Sequence, residues 1–239
     1  MQNLSIDIGN TRVKVGIFQK GDLIVQKTVE QLSVTDLNAL LTNHSIQNII
    51  YSSVAEIGKP LLDYLKSLDA VELSHQTPLP FENQYDTPQT LGKDRMAAVA
   101  GAMQYFPNEN SLVIDAGTCI TYDWLKAGKQ YLGGNISPGW KMRLQAMHQL
   151  TDALPLAEAV WQEEWIGKST LHALQNGATQ GILFEMRGII DQSKSDWEQI
   201  NVILTGGDSI FFANRLKRKI FARSDLVLTG LNKILEGLF

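Results

Sequence analysis

The sequence predicts an α/β protein made of two halves of similar plan. Strand-like and helix-like hydrophobic periods alternate along the chain. The run Leu112-Val113-Ile114-Asp115-Ala116-Gly117-Thr118 sits over Leu4-Ser5-Ile6-Asp7-Ile8-Gly9-Asn10 without a gap. Both runs lead into an alternating stretch and a glycine turn, at Gly21 and Gly128, before another strand. These observations imply a duplicated domain, with Pro107-Asn108-Glu109-Asn110 as the boundary and halves at 1–109 and 110–239.

The elements follow in order. Leu4, Ile6 and Ile8 alternate, Gly9-Asn10-Thr11 breaks the run, and Val13, Val15 and Ile17 alternate again, which reads as strand, turn, strand. Lys20-Gly21-Asp22 turns the chain into a third strand, Leu23–Val29. Ser33 or Thr35 caps a helix running to about Leu41, and Asn48–Val54 is a buried strand. Leu61–Leu68, just after Pro60, is a helix. Pro78, Pro80 and Pro88 make Gln76–Thr90 a loop. Met96, Val99, Ala100 and Met103 carry a helix over Gly92–Phe106. In the second half, Lys141–Leu150, Leu171–Ile190 and Ser209–Lys219 read as helices, and Val202–Leu204 as a strand ending in Thr205-Gly206-Gly207.

Composition removes several classes of function. With 21 basic and 25 acidic residues the formal charge is −4, whereas a dedicated nucleic-acid binder shows a basic excess. Arg215, Lys217, Arg218, Lys219 and Arg223 form one basic cluster, read as a solvated helix face. The single cysteine, Cys119, allows no intramolecular disulfide and no cysteine-based zinc cluster. His44, His75, His148 and His172 lack metal-ligand spacing. The chain has no long apolar run, and Met1–Asp7 lacks the blocks of a signal peptide, so a cytoplasmic protein without membrane attachment is expected.

Common nucleotide motifs are missing. No two glycines stand two apart, so the dinucleotide fingerprint is absent. Gly167-Lys168-Ser169 ends like a P-loop, but Gln162 stands where its first glycine belongs. The paired Asp-x-Gly turns are more productive. A carboxylate at the end of a buried strand, followed by glycine, puts charge at the base of a turn whose amides can hold phosphate. Asp7 and Asp115 supply two carboxylates for a hydrated cation such as the magnesium of Mg-ATP, with Arg12, Lys14 and Arg95 to offset polyphosphate charge. Both aspartates also fit ordinary turns, and Asp94 also fits a helix cap.

Several motifs in order extend this reading: Asp7-Ile8-Gly9-Asn10-Thr11, Gly92-Lys93-Asp94-Arg95, Asp115–Asp123, Gly133-Gly134-Asn135-Ile136-Ser137-Pro138-Gly139, Thr205-Gly206-Gly207-Asp208 and Asp225–Leu231. Together they resemble type III pantothenate kinase, a family of the actin-like ATPase superfamily that includes acetate and sugar kinases, heat-shock chaperones and actin. The resemblance implies duplicated ribonuclease-H-like domains, each a mixed sheet flanked by helices, with the active site in the cleft between them. It implies ATP-dependent phosphorylation of the primary hydroxyl of pantothenate, the first step towards coenzyme A. Asp7, Ile8, Gly9, Asn10, Thr11, Arg12, Val13 and Lys14 match the first ATP-binding turn, and Thr118 matches a further ATP contact. Asp115 matches the aspartate that holds a monovalent cation, potassium or ammonium. Tyr85, Gly92, Lys93, Asp94, Arg95 and Thr170 match pantothenate contacts, with Asp94 as the catalytic base and Ser169 an alternative to Thr170. The resemblance further implies a homodimer with the pantothenate pocket near the subunit interface; Trp161, Trp165 and Trp197 are candidates for its packing. Cys119 departs from a frequent alanine, and Lys93 fills a variable position.

Two other functions compete. One is a different small-molecule kinase of the superfamily, against which Tyr85 and Gly92–Arg95 speak. The other is a non-catalytic, nucleotide-binding regulatory relative, which would not need Asp94.

Overall fold

The computed structural model describes residues 2–239. The chain divides into two compact units. The first takes the chain up to Glu109 together with Trp124–Gly133 and Asp225–Phe239; the second comprises Asn110–Asp123 and Gly134–Ser224. A single cut after residue 109 therefore does not describe the compact units, because the C-terminal segment packs with the N-terminal one.

In the first unit, β1 (Gln2–Ile8), β2 (Val13–Gln19) and β3 (Asp22–Val29) form an antiparallel meander. Lys20 and Gly21 both have positive φ, 53° and 84°, as a two-residue hairpin turn that follows the strand twist requires. Helix α1 (Val34–Asn43) starts at Ser33, whose hydroxyl accepts the Asp36 N–H at 3.1 Å while Asp36 accepts the Ser33 N–H at 3.0 Å. Strand β4 (Ile46–Ser53) returns parallel to β1, and α2 (Lys59–Ser67) leads to β5 (Val71–Glu72). The sheet order is β3-β2-β1-β4-β5. Leu37 and Leu40 of α1 and Leu65 of α2 cover one face, over Leu4, Ile6, Ile8, Val13, Val15 and Ile17.

The other face is covered by α7 (Leu226–Glu236), which contacts β1, β2 and β4 and is itself packed against α3 (Lys93–Tyr105). The two helices approach so closely that a Cβ on Gly230 would collide with the Ala97 carbonyl, and one on Gly101 with that of Leu226. Nearly every residue of α7 is buried. No helix among the described residues is long and apolar enough to cross a membrane.

In the second sheet, β6 (Glu82–Asn83), β7 (Ser111–Ala116), β8 (Cys119–Lys126), β9 (Gln130–Pro138), β10 (Asn201–Thr205) and β11 (Phe221–Ala222) lie in the order β11-β10-β7-β8-β9-β6. Apart from β6, this is the order of the first sheet with β7 in place of β1, which is the duplication expected from the repeated Asp-x-Gly strands. Helices α4 (Trp140–Gln149), α5 (Thr170–Asp196) and α6 (Ser209–Leu216) accompany it. Helix α5 runs past the predicted end at Ile190. Helix α6 stops short of Lys219 because Lys217 takes the left-handed conformation, φ 49° and ψ 42°, and ends it.

Candidate functional site

In the first unit, Asp7 occupies the penultimate position of β1. It lies opposite Lys14 in the β1–β2 pair and opposite Ser52 in the β1–β4 pair. The Ser52 hydroxyl donates to Asp7 Oδ1 at 3.0 Å. Ile8 and Val13 are each 6 % exposed and pack into the core, so only their backbone is available to a ligand. Between them the Gly9 N–H donates to the Arg12 carbonyl at 3.1 Å, leaving Asn10, Thr11 and Arg12 exposed at the tip. Burial pushes the Asp7 carboxyl above its ordinary value; Ser52 and Lys14 oppose the rise, and the charge of Asp94 adds to it. The two carboxylates expected to act in phosphoryl transfer thus feel one another within this unit.

Gly92–Arg95 open helix α3. Gly92 is the N-cap, and a Cβ there would stand 2.5 Å from Asp94 Oδ1, so the glycine leaves room for that carboxylate. Asp94 does not cap; it sits in the first turn and accepts the Arg95 N–H at 2.9 Å. A carboxylate there is favoured by the helix dipole. Lys93 pairs with Glu72 at 2.7 Å, and Glu72 also accepts the Tyr51 hydroxyl at 3.2 Å. Lys93 lowers the Glu72 carboxyl, while burial and Glu72 push Tyr51 up to about 12. The Lys93 ammonium thus meets a carboxylate of the protein.

Arg95 is only 4 % exposed, and its Nη2 donates to the Tyr131 hydroxyl at 2.9 Å. The guanidinium carbon lies 5.5 Å from the centroid of the Tyr85 ring, which stacks on Tyr131 at 6.2 Å and 28°. The structure therefore brings Tyr85 and Arg95 together. Sequence reasoning missed Ser52, Glu72 and Tyr131; an aromatic residue just before Gly133-Gly134 was the one available signal for Tyr131.

In the second unit, Asp115 and exposed Thr118 flank the β7–β8 turn, closed by the Gly117 N–H donating to the Cys119 carbonyl at 3.0 Å. Two glycines hold this turn from behind. A Cβ on Gly139 would collide with the Gly117 and Thr118 carbonyls, and one on Gly206 (φ 95°) with the Ala116 carbonyl and Asp115 Oδ1. Thr205 lies opposite Asp115 as Ser52 lies opposite Asp7, so a hydroxyl residue beside each carboxylate is part of the duplication. The Thr205 hydroxyl is buried without a hydrogen-bond partner. Asp208 donates its N–H to the Ala116 carbonyl at 3.0 Å, and burial raises its carboxyl against the pull of Lys141.

Behind the same turn, Glu185 of α5 collects three donors. The Tyr122 hydroxyl reaches it at 2.7 Å, Ser137 at 2.5 Å, and Arg143 makes an ion pair with its other oxygen. These partners hold Glu185 ionised against the cost of its burial; burial and the Glu185 carboxylate in turn push Tyr122 well above its ordinary value, against the pull of Arg143 and Ser137. Arg143 also donates to the Pro138 carbonyl at 2.8 Å, so the stretch before Gly139 is fixed at both ends. Thr170 is exposed at the start of α5, where the neighbouring Ser169 caps by accepting the His172 N–H at 3.3 Å. Among the described residues no group of three His, Cys, Asp or Glu is arranged to hold a metal. Mg-ATP needs only one or two carboxylates beside its phosphates.

Two sheets of one strand order, each opening on a carboxylate-bearing hairpin, define a duplicated ribonuclease-H-like α/β fold, the fold of actin-like ATPases and sugar kinases. The model of the type III pantothenate kinase family matches residues 3–192. The chain belongs to that family. A type III pantothenate kinase of Phocaeicola vulgatus is 43 % identical over 236 residues, covering 98 % of each chain. Among solved structures, a Campylobacter jejuni candidate transcriptional activator of the Baf family aligns at TM-score 0.62 with 24 % identity over 98 % of each chain. A Sinorhizobium meliloti candidate 2-dehydro-3-deoxygalactonokinase aligns at TM-score 0.58 with 13 % identity over 99 % of each chain. These two similarities bear on the fold.

Proposed function

We propose that the protein transfers the γ-phosphoryl group of ATP to the primary hydroxyl of pantothenate, giving 4'-phosphopantothenate. Family membership supports the reaction, and one observation carries the site: Asp94 stands in the first turn of α3 within the field of Asp7, next to Arg95, whose guanidinium lies over the Tyr85 ring. The backbone of residues 8–13 and the side chain of Lys14 receive the phosphates, Thr118 contacts ATP, and Tyr85, Gly92 and Arg95 bind pantothenate. Thr170 is a further pantothenate contact in this reading. Asp7 would hold the magnesium of Mg-ATP, which neutralises phosphate charge when bound, and Asp115 a potassium or ammonium ion. The half-buried, upward-shifted Asp7 carboxyl fits such a role, since a cation removes the cost of its charge.

Asp94 orients the hydroxyl and accepts its proton late. A carboxylate near pKa 3.9 and an alcohol about as weakly acidic as water differ by about 12 units, roughly 16 kcal/mol, so full deprotonation before transfer is out of reach. A loose phosphoryl-transfer transition state does not require it. The active form is a homodimer in this reading; exposed Trp165, Ile166, Leu171 and Phe184 of the second unit are available to its interface. The test is ADP release from ATP with and without pantothenate, in potassium and in sodium. Pantothenate-dependent release favoured by potassium is expected. Release independent of pantothenate points to another kinase of the superfamily, and none in any salt to a regulatory protein.

A further inference from the structure

We propose that Tyr131, which none of the motifs contains, is a positioning residue of the pantothenate site: it holds the Arg95 guanidinium and the Tyr85 ring in one arrangement. The inference rests on the reading of Arg95 and Tyr85 as pantothenate contacts.

Tyr131 is 1 % exposed, so it does not meet a substrate itself. Its hydroxyl accepts from Arg95 Nη2 at 2.9 Å, and its ring stacks with Tyr85 on one side and packs against Phe81 at 5.9 Å. Its backbone places Tyr85 as well. Strand β6 pairs with β9 through Asn83 and Tyr131, and the Gln84 N–H donates to the Tyr131 carbonyl at 2.9 Å. The Tyr85 N–H then donates to Asn83 Oδ1 at 3.0 Å, which turns the chain so that the Tyr85 ring lies over Tyr131. Gly133, at φ 111°, completes the seat, since a Cβ there would come within 3.4 Å of the Tyr85 ring.

The burial of Arg95 makes this arrangement matter. A guanidinium that is 4 % exposed has little freedom to swing towards an arriving ligand, so its orientation is set before binding. A phenol hydroxyl, unlike a carboxylate, accepts from the guanidinium without neutralising it. Tyr131 thereby fixes the direction of the guanidinium.

The test is a double-mutant cycle on the full-length protein. Tyr131→Phe keeps the ring stack and removes only the hydroxyl. It is expected to raise the KM for pantothenate roughly tenfold, the range for a hydrogen bond to a charged group, with the KM for ATP unchanged, while the stranded guanidinium donor lowers the melting temperature by a few degrees. In an Arg95→Gln background the same substitution is expected to add nothing, because its effect passes through Arg95. An unchanged pantothenate KM in Tyr131→Phe, or equal penalties in both backgrounds, overturns the proposal while leaving the kinase reading intact. Should Arg95→Gln fail to fold, the pantothenate-versus-ATP contrast in Tyr131→Phe decides alone. A wild-type protein that does not turn over pantothenate overturns both.

Discussion

Replacing Asp7 by Asn is expected to stabilise the protein while sharply lowering turnover. Burial is the largest influence on this carboxyl and the charge of Asp94 adds to it; the Ser52 hydrogen bond and Lys14 are insufficient to bring it back to its ordinary value. The ionised form is therefore a cost to the folded state at neutral pH. Asn is nearly isosteric, its Oδ1 still accepts the Ser52 hydroxyl, and it is neutral towards Asp94. The gain is on the order of 1 kcal/mol, typical of relieving strain at a functional site, which in a chain of this size corresponds to a melting temperature about 2–4 °C higher. The pH dependence fixes the cause. A raised carboxyl contributes stability that is complete below the unfolded-state value and is lost as pH rises through the folded-state value. The Asn variant should therefore exceed wild type at pH 7 and match it when the pH falls below the ordinary aspartate range. Melting curves across pH, beside ADP-release assays, measure both effects; loss of turnover by about 10²–10³-fold is expected from removing a preorganised charge. An Asn variant less stable than wild type at pH 7, or a stability difference that does not vary with pH, refutes the reasoning.

Three further outcomes follow from the geometry. Asp94→Asn keeps an acceptor for the Arg95 N–H, so its melting temperature should stay near wild type while pantothenate-dependent turnover falls about 10²–10⁴-fold; wild-type-like turnover would remove Asp94 as the base. Glu185→Ala strands the donors of Tyr122, Ser137 and Arg143 and should cost about 2 kcal/mol in urea titrations. Because the Glu185 carboxyl is lowered, that difference should be full above the ordinary glutamate range and shrink as the pH falls from that range through the lower folded-state value. Gly230→Ala drives a methyl into the Ala97 carbonyl where α3 and α7 cross, and should cost about 1–3 kcal/mol in chemical denaturation; a neutral effect would mean that the two helices separate easily.

Much of the plan was legible because it is written locally. Ser33 declares a helix start through bonds spanning three residues, and the Leu4–Ile8 alternation declares a strand by its period of two. Helix α7 escaped periodicity because it is apolar on nearly every side, and such a run does not separate a buried helix from a buried strand. The two-residue strands β5, β6 and β11 are too short to show any period. Lys93 shows how a residue in a motif gains a partner that the motif does not contain, since Glu72 lies 21 positions away.

The paired aspartates and the Gly92–Arg95 signature are patterns within a few residues, and the duplication is the recurrence of one such pattern, so all three are legible in the chain alone. What those groups face is set by tertiary packing. Ser52 meets Asp7 across 45 residues through the register of a parallel strand pair, Tyr131 meets Arg95 across 36, and Glu185 meets Tyr122 across 63. Local preferences specify which element forms. The pKa of a carboxylate or the orientation of a guanidinium depends on burial and on partners that arrive only when the sheets pair and the helices pack.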